Sequence, residues 1–157
     1  MIRQGAHTGG CLCGAVRFTI AAEPQGARFC WCRDCQRIAS GMATVNVLFD
    51  EEAVTYQGEM TLLRLVADSG NTVERGFCKV CGAQMFSRTV VGPKQPMRVR
   101  AGTLDDPEIC PPTTIIWGAS APSWAPFPAG MTVLEGGPGS AEMPPRHPHA
   151  RAAPPQV

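Results

Sequence analysis

Alternation of apolar and polar residues recurs along the first three quarters of the chain. Ala15-Val16-Arg17-Phe18-Thr19-Ile20 alternates and predicts a strand, and Glu23-Pro24-Gln25-Gly26 reads as a turn after it. Thr44 to Phe49, Val54 to Gln57 and Met60 to Val66 carry the β-branched and apolar character of further strands. Asp68-Ser69-Gly70-Asn71 between Met60–Ala67 and Thr72–Phe77 is a hairpin signal. Gln84 to Val90 is again strand-like, Met97 to Ala101 alternates, and Thr113 to Trp117 is the last strand expected. Helical period is almost absent. One short helical turn is placed over Asp34 to Ala39, ending near Gly41. Short strands divided by Gly and Pro turns predict a mainly β architecture with little helix.

Composition changes from Gly136 onward, where Gly, Pro and small residues dominate to Val157. Such a segment buries too little apolar area to offset its ordering entropy, so a disordered tail over 136–157 is expected after one domain over 1–135. A chain of 157 residues is long enough to bury a core without a staple. Net charge is +1, from 14 Lys and Arg against 13 Asp and Glu, which argues against a nucleic-acid partner. No run of about 18 apolar residues is found, so no membrane-spanning helix is expected. Met1 to Gly10 has no apolar stretch of the secretory kind, and the expected compartment is a reducing cytoplasm.

Eight cysteines against three histidines sharpen the picture. Seven of the eight fall in tight groups: Cys11-x-Cys13, Cys30-x-Cys32-x-x-Cys35 and Cys78-x-x-Cys81, with Cys110 apart. In a reducing compartment, grouped cysteines point to metal before disulfides, and such spacings suit zinc. Disulfides, redox thiols and iron–sulfur ligation are the competing readings. His7, His147 and His149 lie outside the stretch from Gly9 to Glu135, so an all-sulfur metal environment is expected, and a Cys–His catalytic pair has no obvious base.

Four ordered motifs carry a family likeness. Gly10-Cys11-Leu12-Cys13-Gly14-Ala15-Val16-Arg17-Phe18, Cys30-x-Cys32-x-x-Cys35-Gln36-Arg37, Phe77-Cys78-x-x-Cys81-Gly82 and Gly102-Thr103-Leu104-Asp105-Asp106-Pro107 resemble the glutathione-dependent formaldehyde-activating enzyme family, or CENP-V-type zinc domain, over about residues 9 to 130. The resemblance implies a β-tent of small antiparallel sheets around zinc. It implies two zinc ions per chain: a structural one on Cys11, Cys13, Cys78 and Cys81, and a functional one on Cys30, Cys32 and Cys35. The family usually has a histidine within the second group, where this chain has Trp31, and often another before the late tryptophan, where Ile115 and Ile116 stand before Trp117.

Three protein ligands suit a catalytic zinc with an open position. The implied activity is that of a carbon–sulfur lyase acting on an aldehyde–thiol adduct, S-hydroxymethylglutathione among the candidates, or on a related small electrophile. Its partners would be a small thiol or aldehyde such as glutathione, with neither nucleic acid nor membrane. The alternative is a non-catalytic, zinc-stabilised protein-interaction module. Cys110 folding back onto the three-cysteine group would close that site, although a small apolar core role is the simpler expectation. Asp105 and Asp106 are substrate-orienting candidates against a turn-forming role before Pro107. Trp31, Trp117 and Trp124 are pocket candidates against core packing, and Arg33 and Arg37 are anion-binding candidates against solvated surface.

Overall fold

The structure, a computed structural model, describes residues 6–144. Its strands are β1 (His7–Gly10), β2 (Arg17–Ile20), β3 (Ala27–Cys30), β4 (Thr44–Phe49), β5 (Val54–Gln57), β6 (Met60–Val66), β7 (Thr72–Cys78), β8 (Gln84–Val91), β9 (Met97–Arg100), β10 (Thr114–Ile116) and β11 (Thr132–Val133). The single α-helix among the described residues, α1, spans Arg33–Ile38. β1-β2-β5 form a small sheet, and the other eight strands form a second in the order β11-β10-β3-β4-β9-β8-β7-β6. The mainly β, helix-poor class expected from the alternation is therefore the class observed. Spacing gave no hint that β10 pairs in parallel with both β3 and β11. No helix among the described residues is long and apolar enough to cross a membrane.

Period-2 alternation divides the large sheet into two chemically distinct faces. One face packs Val47 and Phe49 of β4, Met97 and Val99 of β9 and Phe86 of β8 against Val16, Phe18 and Ile20 beside and on β2. All are at most 3% exposed, and burying each side chain of this size contributes about 1.5–3 kcal/mol. The opposite face is polar. Cross-strand partners share a face, and the register aligns Cys30 with Thr44, Arg28 with Asn46, Asn46 with Arg100, Arg98 with Ser87, and Ser87 with Arg75. Four arginines and a cysteine are thereby collected from strands scattered along the chain.

Residues 136–144, assigned by composition to the tail, are tied to the fold. Gly136 O accepts from Trp117 N, Glu135 N donates to Ala141 O, and Met143 N donates to Val133 O. Leu134 and Glu142 form an antiparallel bridge. Backbone pairing, which composition does not register, holds this stretch. Residues 145–157 of the expected tail lie outside the described residues.

Glu74 on β7 is fully buried, and its carboxylate accepts from Arg64 Nε at 2.6 Å and Arg88 Nε at 2.8 Å. Burial pushes its pKa upward, but the two guanidiniums prevail and hold it below the ordinary 4.5. A lowered folded-state pKa gives stability that is full above 4.5 and fades as pH falls through the lower folded value. Glu74→Gln is expected to lower the unfolding free energy by about 1–3 kcal/mol at neutral pH. Urea titrations of both proteins should show the gap closing as the pH drops below 4.5.

Candidate metal centre

Two turns, one from each sheet, bring four sulfurs together. The β1–β2 turn supplies Cys11 and Cys13, and the β7–β8 turn supplies Cys78 and Cys81. Both turns close on a glycine with positive φ, Gly14 at +81° and Gly82 at +73°, a region that a side chain rarely adopts. These turns aim backbone N–H groups at sulfur: Val16 N lies 3.2 Å from Cys11 Sγ, Ala15 N donates to Cys13, and Ala83 N to Cys81. N–H···S bonds of this kind stabilise thiolates.

The sulfur spacing fits a tetrahedral ion. Cys11 Sγ lies 3.6 Å from Cys13 Sγ, Cys13 Sγ lies 3.8 Å from Cys78 Sγ, and all four sulfurs lie within 4.8 Å of one another. A tetrahedron with metal–sulfur bonds of about 2.3 Å has edges of about 3.8 Å, whereas a disulfide needs about 2.04 Å. All eight cysteines are free thiols. In the metal-free state the sulfurs bias one another's ionisation. Desolvation opposes ionisation of Cys11, but the Val16 N–H and the thiols of Cys78, Cys13 and Cys81 outweigh it and bring Cys11 to about 6. Cys13 goes the other way. Its Ala15 N–H favours the thiolate, yet burial and the neighbouring sulfurs push it up to about 11. The neighbours thus favour the thiolate at Cys11 and Cys81 and oppose it at Cys13, where a divalent cation would compensate the added charge.

The second group is built on one short segment. Cys30 ends β3, Cys32 caps α1, and Cys35 lies three residues into the cap's own turn, on the same side of the helix. Cys32 Sγ accepts from Cys35 N at 3.4 Å. Gln36, 4% exposed, donates from Nε2 to Trp31 O at 2.6 Å and Ser120 O at 2.9 Å, which fixes the turn against the β10 side of the fold. The three sulfurs lie within 4.8 Å of one another, and no fourth sulfur, imidazole or carboxylate joins them among the described residues. Cys110 does not close the site. It packs instead, half-buried, against the main hydrophobic core.

Without a cation one thiolate dominates here. Hydrogen bonds from Cys30 and Cys32, helped by the Arg100 guanidinium, hold Cys35 down at about 2, while Cys32 and Cys35, with burial, push Cys30 well up. The three sulfurs open into a cavity of about 100 Å³. Arg28, Arg75, Arg98 and Arg100 line it with Asn46 and Trp117. Burial first, then repulsion from Arg28, Arg100 and Arg75, lowers Arg98 to about 10. Trp117 sits at φ +59°, a strained conformation for a bulky side chain and one that tends to mark functional sites. A wider cleft of about 600 Å³ lies along Glu51, Glu74 and Arg88, but those charges are already paired with one another.

Several candidate residues have other duties. Arg33 is exposed and donates to Gln36 Oε1, and Arg37 is exposed, so neither lines the cavity. Asp105 pairs with Arg17 and accepts from Thr8 Oγ1 at 2.6 Å, and Asp106 Oδ1 accepts from Glu108 N in a local turn. Trp31 is buried with Ile115, and Trp124 packs edge-on against it at 6.5 Å. Trp31 and Ile115 are therefore core residues, and of the two isoleucines only Ile116 reaches the cavity. The arginine lining was not anticipated. Met97-Arg98-Val99-Arg100 carried the signal, since alternation must place both arginines opposite Met97 and Val99.

The family described as glutathione-dependent formaldehyde-activating enzyme (GFA) matches residues 6–120, a span that includes both cysteine groups. Among solved structures, the crystal structure of a Rhodobacter sphaeroides protein resembles this chain at 21% identity, with a TM-score of 0.50. It covers 62% of this chain and 87% of its own. At that identity the likeness concerns the fold alone. No curated protein matches the sequence.

Proposed function

The chain belongs to the glutathione-dependent formaldehyde-activating enzyme family, and on that premise we propose that it is a zinc-dependent, carbon–sulfur lyase-like enzyme. It acts on an aldehyde–thiol adduct, S-hydroxymethylglutathione or a related small electrophile. Cys11, Cys13, Cys78 and Cys81 hold a structural zinc, and Cys30, Cys32 and Cys35 hold a functional one. The observation that carries this reading is the contrast between the groups: four sulfurs at tetrahedral spacing in one, three sulfurs facing an arginine-lined cavity in the other.

Bound to three thiolates, zinc would supply a Lewis acid for a carbonyl oxygen or keep a substrate thiol ionised at neutral pH. The protein's own residues must do the rest. Adduct cleavage breaks the C–S bond, returns the carbinol proton to sulfur or solvent, and leaves the aldehyde with no change of oxidation state. None of the described cavity-lining residues is His, Asp or Glu, so the side chains offer no conventional proton shuttle. The guanidiniums around the sulfurs instead favour a substrate sulfur that stays anionic. Asn46 is 2% exposed and donates from Nδ2 to Thr44 Oγ1 at 3.1 Å, leaving its Oδ1 without a partner. That oxygen is the acceptor available for the adduct's hydroxyl.

Metal analysis on freshly prepared protein tests the reading. Two zinc ions per chain are expected, and cobalt substituted into the three-cysteine site should change its visible spectrum when glutathione is added. One ion per chain, or a four-sulfur cobalt spectrum that ignores thiols, would leave the interaction-module alternative standing in its place.

A further inference from the structure

The charges lining the three-cysteine cavity exceed what its sulfurs require. Arg75 is 4% exposed, and only its Nη2 is occupied, donating to Asp34 Oδ2 at 2.8 Å, while Nε and Nη1 have no partner. Arg28 Nε is likewise buried without one. Arg98 meets only neutral oxygens, on Ser87, Thr89 and Gln95, while Arg100 meets those of Gln84 and Thr44 and the Cys35 sulfur. Asp34 is the one carboxylate paired to the four arginines among the described residues, and none of the described lining residues is acidic.

A divalent ion on three thiolates carries a single negative charge. Added to Asp34, it offsets two of the four guanidiniums and leaves two positive charges uncompensated in a largely buried space. Unpaired buried guanidinium is costly, so the arrangement is organised for an anion. Size narrows the choice. About 100 Å³ is well short of the roughly 300–1,000 Å³ of pockets that enclose a drug-sized ligand, and so of a tripeptide.

We propose that the arginine-lined part of this cavity, formed by Arg28, Arg75, Arg98 and Arg100, is a subsite for a compact dianionic group of the substrate, a phosphate monoester or a close pair of carboxylates. The proposal rests on the enzymatic reading above and refines its substrate class. The natural adduct then carries its own small dianion beside the reacting carbon, and a bulky peptide portion, if present, stays outside the cavity.

Calorimetry on the zinc-loaded protein at about pH 8, where phosphate is mainly dianionic, tests this with inorganic phosphate, malonate and acetate. A dianion is expected to bind more tightly than acetate. Preference for phosphate identifies a phosphate monoester, and preference for malonate a dicarboxylate. Arg98→Gln should weaken that binding about tenfold or more, as loss of a charged hydrogen-bonding group does. Arg98→Lys, which keeps the charge but loses the fork, should weaken it less and covers the case in which Arg98→Gln fails to fold. Exposed Arg37→Gln should change nothing. The proposal is overturned if neither dianion outbinds acetate, if both Arg98 variants bind as the parent does, or if Arg37→Gln weakens binding equally. Zinc content measured on the same samples separates the two readings. Two ions without anion selectivity removes this inference alone, and selectivity with one ion removes only the lyase assignment.

Discussion

Cys78→Ser is expected to abolish the native fold, giving insoluble protein or a compact state without fixed tertiary packing. Cys78 is 2% exposed, and its sulfur stands 3.8 Å from Cys13, which lies 65 positions earlier in the chain. The β1–β2 turn belongs to the small sheet and the β7–β8 turn to the large one, so the four-sulfur group clamps the two layers across their shared core. A structural zinc contributes on the order of 10–16 kcal/mol in small peptides, comparable to the whole stability of a domain at about 5–15 kcal/mol. Losing one ligand leaves three thiols, with Cys13 exposed to water and Cys81 half-buried. Soluble yield, near-ultraviolet circular dichroism and zinc content check the outcome together. A Cys78→Ser protein that is fully folded and lacks the structural zinc would show that the hydrophobic sandwich needs no clamp. The metal assignment of Cys11, Cys13, Cys78 and Cys81 would then lose its purpose.

The cysteine grouping was legible because metal-ligand geometry is written locally, in spacings of one and two residues. The strands with clear alternation were legible for the same reason, from Arg17–Ile20 to Met97–Arg100. His7–Gly10 was not, because His-Thr-Gly-Gly has little strand propensity and becomes β1 only through pairing with β2. Ala27–Cys30 became β3 through neighbours on both sides, one of them the parallel strand β10. The arginine face is the same lesson at longer range. Arg98 and Arg100 share a face by simple alternation, but Arg28 and Arg75 join them only through the strand order β3-β4-β9-β8-β7. That order and its register are decided by tertiary packing, so no window of the sequence contains it.

Cys32→Ser separates the chemistry from the fold more cleanly than any other change at the second site. Cys32 is the least buried of the three sulfurs and caps α1 by accepting from Cys35 N. Serine keeps a capping acceptor and is a preferred residue at that position, so the helix should survive and stability should move by no more than about 1 kcal/mol. The serine hydroxyl, however, does not ionise as a thiol does, and two thiolates hold zinc far more weakly than three. The variant should therefore retain one zinc per chain, at the four-sulfur group, and lose the other. If the three-cysteine centre performs the adduct chemistry, kcat/KM should fall by about 10³-fold or more, equivalent to at least about 4 kcal/mol of transition-state stabilisation. Nuclear magnetic resonance exchange between free aldehyde, thiol and adduct measures the rate, and metal analysis counts the ions. A folded Cys32→Ser protein with one zinc and undiminished exchange would move the reaction away from these sulfurs. One that kept both ions would show that Cys30 and Cys35 bind without it, and that the helix cap rather than the ion is what Cys32 serves.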